Sequence, residues 1–331
     1  LLGANVQKIP WPKCMKKSEY LGIVKSIVDQ LWLHISDESN SYYVTTLKRN
    51  RKLIQSLVSP HINIGEVDRI RQEHVAENNS NNTLLQIKKF ISKDSVISNK
   101  SIYSLSSSVT GRMTISSGPN ILTLKKENRS IIKSRYKNGS ILEIDIKSAE
   151  PRVALSLIGK SVSGDIYSEI MNSIGVKIDR PAAKIATLSA IYGASHHSLK
   201  NRLPNSASSI HVLDSVKNYF RVYDLEKVIS EQKRDIGYIS NTHGRKIFSN
   251  EPSVNHLIQS STVDVSFDVF ENLFKTLDKN GVEYKPLYFI HDAVIIDVDS
   301  SCIDLVYKSC KNGFESERIK TVFPVSIGEI R

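Results

Sequence analysis

Two widely separated stretches of β-strand type constrain the fold of this chain most. The first is residues 141–146 (Ile-Leu-Glu-Ile-Asp-Ile), and the second is residues 288–296, where two apolar runs flank a polar pair at a tight turn. Helical patterns dominate residues 1–100, 165–249 and 255–277, and the second region is broken near Gly193 and at Gly237 and Gly244. Long helical segments therefore precede the strands and separate them. This order predicts an α+β fold and excludes a repeated parallel βαβ architecture.

The composition is that of a folded and basic protein. Of the 331 residues, 40% are hydrophobic and 24% are charged, which is enough apolar sequence to bury a core. Lys and Arg number 45 against 34 Asp and Glu, and residues 125–137 hold six basic side chains beside Glu127. The resulting net charge of +11 favours a polyanionic partner, either nucleic acid or a membrane surface.

The apolar runs are far shorter than the ~20 residues of a membrane-spanning helix, so we expect no membrane segment. The cysteines Cys14, Cys302 and Cys310 are odd in number and match no zinc-binding spacing. They predict a reducing intracellular compartment, such as the cytoplasm, the nucleus, an organelle or a virus-infected cell. Because the chain begins with Leu1 and shows no signal peptide, we expect it to derive from a longer protein.

Two aspartates stand at strand ends. Asp145 lies near the end of the first strand, and Asp292 lies in the turn between the two later runs. Such an aspartate is most often a turn or cap residue, but neighbouring strands could bring both carboxylates within reach of a cation. Magnesium in phosphoryl-transfer sites binds one or two carboxylates together with water and substrate phosphates. The pair therefore predicts a site for two Mg²⁺ ions.

Residues 179–193 predict a helix with a basic and aromatic face, with Asp179 as N-cap and Gly193 as the stop. Side chains four apart follow one face, and here they are Arg180, Lys184, Leu188 and Tyr192. The two cations at the start of the helix would suit a triphosphate. The apolar and aromatic pair further along would suit a base. An ordinary amphipathic helix with a basic edge is the alternative.

These segments resemble motifs of family A DNA polymerases, the bacterial DNA polymerase I type. Residues 145–152 resemble the first palm motif, residues 180–193 the fingers helix, and His291-Asp292 the last palm motif. The resemblance covers about residues 101–331, and so many matches in one order are very improbable by chance. The further matches, in the order of the family, are Thr110-Gly111-Arg112, Gly237-Tyr238, Gly244-Arg245-Lys246, Asn255 with Gln259 and Asp264, and Phe323 to Gly328.

The sequence departs from the usual family pattern at several positions. Ala293 stands where a second acid is usual, and Leu188 stands where an aromatic side chain is usual. Glu251 replaces an arginine, Tyr167 replaces a histidine, and Ser148 replaces a glutamine. These changes concern nucleotide and minor-groove contacts and leave the two aspartates intact.

The resemblance implies a right-hand polymerase with an antiparallel palm sheet, helical fingers and a reduced helical thumb. The implied domains are a thumb-like region at 1–100, a palm at 101–160 and 250–331, and fingers at 161–249. This division leaves no room for a proofreading domain before residue 101. Additional domains or replication proteins are further partners that we expect.

The implied reaction is template-directed DNA synthesis, in which deoxynucleoside triphosphates extend the 3′ end of a primer. Asp145, Asp292 and the backbone carbonyl of Ile146 would hold two Mg²⁺ ions, for which Mn²⁺ could substitute. Lys184 would also protonate the leaving pyrophosphate. The implied nucleotide contacts are Arg180, Lys184, Leu188, Tyr192 and Glu150. The implied contacts with primer–template DNA are Arg112, Arg245, Asn255, Gln259 and His291.

Three alternatives remain open. A single-subunit RNA polymerase shares the aspartates and the helix with Lys184 and Tyr192, but in the DNA-polymerase family a glutamate at position 150 excludes the ribose 2′-hydroxyl. A reverse transcriptase would use the same motifs. A non-catalytic nucleic-acid-binding module is less favoured because both aspartates and the pair of Arg180 and Lys184 are retained.

Overall fold

The computed structural model describes residues 14–76, 82–92, 96–175, 178–200, 202–203 and 209–330. Backbone contacts divide the chain into two compact units, Leu1–Lys48 and Arg49–Arg331. Across the described ranges, no helix combines the length and the apolar character needed to cross a lipid bilayer.

Helices make up most of the N-terminal part of the chain and the segment between the central strands. In chain order they are α1 (Lys17–Ser36), α2 (Glu38–Ser56), α3 (Ile64–Ala76), α4 (Asn82–Phe90), α5 (Ala149–Leu157), α6 (Ile166–Ser173), α7 (Arg180–Ile191), α8 (His196–Lys200), α9 (Ser209–Tyr219), α10 (Val222–Ile236), α11 (Val254–Lys279) and α12 (Ile303–Cys310). Short 3₁₀ segments lie at Lys126–Ile131 and Ser300–Cys302.

The strands form one four-stranded sheet and several two-stranded pairs. In chain order they are β1 (His61–Ile62), β2 (Ile102–Ser104), β3 (Thr114–Ser117), β4 (Ile132–Lys133), β5 (Gly139–Ile146), β6 (Ile239–Ser240), β7 (Lys246–Ile247), β8 (Tyr284–Ile290), β9 (Ala293–Asp299), β10 (Phe314–Ser316), β11 (Thr321–Phe323) and β12 (Val325–Ile330). The central sheet has the order β12-β5-β9-β8, and each neighbouring pair in it is antiparallel. The predicted α+β class is therefore confirmed.

The central sheet contains both predicted strand regions and is covered on both faces. Along β5, Leu142, Ile144 and Ile146 belong to one buried cluster with Phe267 of α11, whereas Ile141 belongs to a cluster on the opposite face. Alternate residues of a strand point to opposite faces, which accounts for this division. Each large side chain buried in this way stabilises the fold by about 1.5–3 kcal/mol relative to exposure.

Helix α7 begins and ends where the sequence predicts. The Asp179 carboxylate accepts a hydrogen bond from the backbone N–H of Ala182 at 2.8 Å, as an N-cap does. Gly193, just beyond the helix, has a φ of +70°, which is the conformation of a helix-terminating glycine. Ala183 and Ala186 are fully buried in a third cluster with neighbouring helices, so the opposite side of α7 is left for the predicted basic face.

A buried polar network joins α2 and α11 to the segment between β6 and β7. The Asp264 carboxylate, fully buried, accepts hydrogen bonds from Asn50 and Asn241 at 2.8 Å each. It also accepts from Nη2 of Arg245 at 3.0 Å and from its Nε at 3.2 Å. The Arg245 guanidinium in turn packs so closely on Gly111 (φ +73°) that a Cβ atom would have no room there. The network therefore fixes the chain next to Arg112.

The segment after α10 interrupts the helical region 165–249 at the two glycines where breaks are predicted. Gly237 adopts a φ of +77° and ends α10, and Gly244 adopts +80° in the following turn. The chain then forms the antiparallel pair of β6 and β7 on either side of Gly244. The predicted breaks at both glycines are therefore confirmed, and the left-handed glycine conformations account for them.

Asp264→Asn is expected to lower the free energy of unfolding by about 3–5 kcal/mol, since it removes the carboxylate that balances the buried Arg245 charge. Urea unfolding followed by circular dichroism measures this loss. Asp235→Asn breaks an exposed ion pair with Arg234 and should cost less than about 1 kcal/mol. Similar losses in the two variants would contradict the structural role of the network.

Candidate active site

Strand pairing brings the two predicted aspartates together. Asp145 of β5 pairs with Ala293 of β9, the residue directly after Asp292. The backbone carbonyl of Asp292 accepts a hydrogen bond from the N–H of Ile146 at 3.0 Å. His291 and Asp292 form the two-residue turn between β8 and β9, and His291 has a left-handed φ of +52°. The tight turn thereby holds Asp292 against the end of β5.

Burial and like charge disfavour ionisation of both aspartates. Burial raises the pKa of Asp145 to about 6, and the negative charge of Asp292 adds to this shift. Burial also raises the pKa of Asp292, while Arg112 and Lys184 oppose the shift. Two carboxylates that resist ionisation in this way gain from a cation between them, because it favours their charged forms.

The aspartates line a cleft with a volume of about 720 Å³. This cleft brings together side chains from β5, α5, α7, α11, the β8–β9 turn and the segment before β3. A concave site with convergent polar groups is where ligand binding is expected. The sequence-predicted residues that line it are Arg112, Asp145, Ile146, Glu150, Arg180, Lys184, Leu188, Tyr192, Gln259, His291 and Asp292.

The predicted face of α7 points into this cleft. At its start, Arg180 donates to both carboxylate oxygens of Asp165, from Nε at 3.0 Å and from Nη2 at 2.7 Å. The guanidinium carbon also lies 5.2 Å from the ring centroid of Tyr167, a cation–π distance. Lys184 follows one turn later and is exposed. Both cations therefore lie on the side of α7 where an anionic ligand could enter.

At the far end of α7, Glu150, Tyr192 and Arg112 form a linked group. The Tyr192 hydroxyl donates a hydrogen bond to Glu150, and Arg112 lies 3.6 Å from the other carboxylate oxygen. Burial raises the pKa of Tyr192, and the neighbouring Glu150 carboxylate raises it further, so the phenol stays protonated as the donor. Glu150 is thus fixed at the cleft wall by two partners.

Two predicted DNA contacts, Arg245 and Asn255, are not among the described residues that line the cleft. Arg245 is instead buried in the network around Asp264. Asn255 is the second residue of α11, one turn before Gln259, and its side-chain oxygen is buried without a hydrogen-bond partner among the described residues. The proposed contacts of both residues with DNA stay predictions.

Sequence reasoning missed the roles of Arg152 and Asp165. Arg152 is buried and donates to the backbone carbonyls of Lys147 at 3.1 Å and Gly164 at 2.6 Å. It thereby connects the end of β5 to the loop that leads to Asp165. The only local signal was that Asp165 stands three residues before Ser168, a spacing typical of a helix N-cap. In the structure, the Asp165 carboxylate does accept a hydrogen bond from the N–H of Ser168.

The cleft offers few protein ligands for a cation. Within the described part of the chain, no group of three or more His, Cys, Asp or Glu side chains is placed to hold a metal ion. The available donors are the carboxylates of Asp145 and Asp292, with Ile146 lining the cleft beside them. Two carboxylates suit a hard cation that completes its coordination with water and phosphate oxygens.

Asp145→Asn is expected to stabilise chelator-treated protein by roughly 1 kcal/mol at about pH 7, after allowance for the solvent-exposed part of the side chain. An acid whose pKa is raised on folding contributes stability at low pH that is lost as the pH rises. For Asp145 this loss extends from its ordinary value of about 4 to about 6. The stability gap between variant and parent should therefore grow between about pH 4 and pH 7 in urea unfolding.

The Asp304→Asn variant provides the control for the loss of one negative charge, because Asp304 is exposed and does not line the cleft. A stability gap for Asp145→Asn that does not grow with pH would contradict the electrostatic description of the aspartate pair.

Comparisons with known proteins found one similar curated protein and similar solved structures. No protein-family model matches the chain. It is 25% identical over 259 residues to DNA polymerase I of Lactococcus lactis subsp. lactis (strain IL1403), a match covering 66% of this chain and 29% of that protein. The chain thus corresponds to less than a third of the length of this curated relative.

A solved structure has a similar fold. It is the POL domain of Pol1 from M. smegmatis in complex with DNA primer-template and dNTP, with a TM-score of 0.56 and 18% sequence identity. The similarity covers 75% of this chain and 50% of the solved chain. The predicted resemblance is confirmed: the chain is similar in sequence to part of a DNA polymerase I and has a fold similar to that of the POL domain.

Proposed function

We propose that the chain is the catalytic region of a template-directed DNA polymerase that adds deoxynucleoside monophosphates to a primer 3′ end. The observation that supports this best is the convergence in one cleft of two strand-end aspartates with the basic and aromatic face of α7. The similarity to a DNA polymerase I, and to a POL domain in complex with primer-template and dNTP, supports the same substrates.

Asp145 and Asp292, with the backbone carbonyl of Ile146, would hold two Mg²⁺ ions, for which Mn²⁺ could substitute. When bound, such ions lower the pKa of the primer hydroxyl and neutralise charge on the triphosphate and on the leaving pyrophosphate. The repulsion between the carboxylates favours cation binding at this position. Lys184, whose charge opposes the raised pKa of both aspartates, would donate a proton to the pyrophosphate as it leaves.

The face of α7 would bind the nucleotide. Arg180 and Lys184 supply positive charge and N–H donors for the phosphates at the start of the helix. Leu188 and Tyr192 would contact the base and sugar further along. Glu150, fixed by its hydrogen bond from Tyr192, would exclude a 2′-hydroxyl from the sugar site.

The remaining cleft residues would bind primer–template DNA. Arg112, Gln259 and His291 would contact the minor groove, where hydrogen-bond acceptors are nearly independent of sequence. A polymerase has to accept every base pair, so this choice of groove fits the function. Further minor-groove contacts are proposed for Arg245 and Asn255, and the basic residues 125–137 would bind phosphates.

We assign residues 1–100 to a reduced helical thumb, 101–160 and 250–331 to a palm, and 161–249 to fingers. This assignment follows the motif order, and it gives none of these residues to a proofreading domain. Additional domains or replication proteins are proposed as further partners.

The alternative activities use the same motifs and are separated by substrate choice. Primer extension on DNA and on RNA templates, each with deoxynucleotides and with ribonucleotides, distinguishes a DNA polymerase from a reverse transcriptase and an RNA polymerase. DNA binding without extension under all conditions would identify a non-catalytic module.

Asp292→Asn should reduce single-turnover primer extension in Mg²⁺ on the order of a thousandfold or more, because it removes one of the two metal carboxylates. Primer–template affinity, measured by fluorescence anisotropy, should change little because Lys and Arg contacts dominate it. Asp304→Asn provides a charge-matched control outside the cleft. Extension by Asp292→Asn close to the parent rate would contradict the proposed function.

Glu150→Ala should increase ribonucleotide use relative to deoxynucleotide use, by about tenfold in the ratio of kcat/KM values, because it opens space at the 2′ position. Tyr192→Phe retains the acid but removes its hydrogen bond, so its effect on the ratio should be smaller. An unchanged ratio in Glu150→Ala would show that Glu150 has only a structural role and would favour the RNA-polymerase alternative.

A further inference from the structure

Arg180 is held in the cleft by two side chains that the proposed mechanism does not use. Asp165 accepts hydrogen bonds from Nε at 3.0 Å and Nη2 at 2.7 Å, so it contacts one edge of the guanidinium. Tyr167 presents its ring to the guanidinium at 5.2 Å. All three residues line the cleft. The guanidinium is therefore constrained both in its plane and along one edge.

The supporting residues are themselves fixed. Asp165 caps α6 by accepting hydrogen bonds from the N–H and hydroxyl of Ser168, at 3.0 and 2.8 Å. Arg152 binds the carbonyl of Gly164, the preceding residue, at 2.6 Å. Tyr167 is buried. These contacts limit the movement of the Asp165 carboxylate, so it can act as an orienting group for Arg180.

Two positions where the sequence departs from the family pattern, Tyr167 and Ser148, lie near this point and line the same cleft. Burial raises the pKa of the Tyr167 hydroxyl, and the Ser148 side chain opposes this shift. Ser148 has a left-handed φ of +55° at the junction between β5 and α5. The ring beneath Arg180 and the strand end that contains Asp145 thus belong to one cleft.

The geometry leaves part of Arg180 available. A guanidinium has five N–H donors, and Asp165 uses two of them along one edge. The Arg180 side chain is 57% exposed, so the other donors can reach a ligand in the cleft. A carboxylate that competed with a phosphate would occupy the N–H donors that the phosphate needs. Asp165 instead leaves both N–H groups of Nη1 available to a phosphate. Positioning therefore fits the geometry better than competition.

We propose that Asp165 and Tyr167 are positioning residues that orient Arg180 toward the triphosphate of the incoming nucleotide. This inference rests on the proposed polymerase function. It gives Tyr167 an indirect role, through the guanidinium that it supports. An arginine held in this way loses less conformational freedom when it binds a phosphate.

Asp165→Asn tests the inference with little disturbance, because asparagine retains the N-cap of α6 but loses the charge that holds Arg180. The dissociation constant of a deoxynucleoside triphosphate is measured on the complex with dideoxy-terminated primer–template, and KM and kcat on an extendable primer. Both the dissociation constant and KM should rise about tenfold, with kcat and DNA affinity within about twofold of the parent.

Asp179→Asn is the matched control. Asp179 is the residue before Arg180 and caps α7 through Ala182, so the variant loses the same charge and retains a capping side chain. Its nucleotide affinity should equal that of the parent. A tenfold rise in this variant too would assign the effect to general charge and would overturn the role of Asp165.

Tyr167 is tested by a pair of variants. Tyr167→Ala removes the ring and should raise the nucleotide dissociation constant, whereas Tyr167→Phe retains the ring and should recover most of the affinity. Equal losses in both would attribute the effect to the hydroxyl and contradict the cation–π support. Thermal melting of each variant, with and without primer–template, separates an unfolded variant from a folded one that binds nucleotide weakly.

The outcomes for this inference and for the polymerase activity differ. A lower KM in Asp165→Asn would mean that Asp165 competes with phosphate, and an unchanged KM would mean that it has no role. Either result contradicts the inference while the parent still extends primers. A parent that binds the nucleotide but extends no primer contradicts the polymerase function alone, and the binding constants then decide the role of Asp165.

Discussion

The antiparallel register between β5 and β9 is the constraint on which the site depends. It pairs Asp145 with Ala293 and so holds Asp145 next to the turn that contains Asp292. On the face of β5 opposite to Asp145, the side chains of Leu142, Ile144 and Ile146 are buried. A shift of the strand pairing by one residue would move them away from their cluster. The apolar core therefore fixes the register, and the register sets the aspartates together at a considerable electrostatic cost.

The other half of the site depends on how α7 is anchored. Buried alanines hold one side of the helix in its cluster, and this leaves Arg180 and Lys184 facing the cleft. Positive charge on α7 opposes the raised pKa of the aspartates across the cleft. A carboxylate pair on one wall and cations on the other is an arrangement that an anionic substrate with its own cations can bridge.

The sequence predicted the features that are encoded locally. Alternating apolar residues gave β5, the polar pair between apolar runs gave the β8–β9 turn, and Asp179 and Gly193 marked the ends of α7. Contacts between distant segments could not be predicted in this way. The burial of Arg245 depends on Asp264 and Asn50, and the orientation of Arg180 depends on Asp165, none of which has a local pattern that specifies the pairing.

The most direct test is to count the cations bound at the paired strand ends. Mn²⁺ is titrated into a solution of the chain with dideoxy-terminated primer–template and a deoxynucleoside triphosphate. Electron paramagnetic resonance then measures how much of the Mn²⁺ is bound. Two Mn²⁺ ions per chain are predicted beyond those bound by the DNA alone, with weaker binding in Asp145→Asn. Binding of no additional ions, or equal binding by parent and Asp145→Asn, would contradict a cation site formed by Asp145 and Asp292.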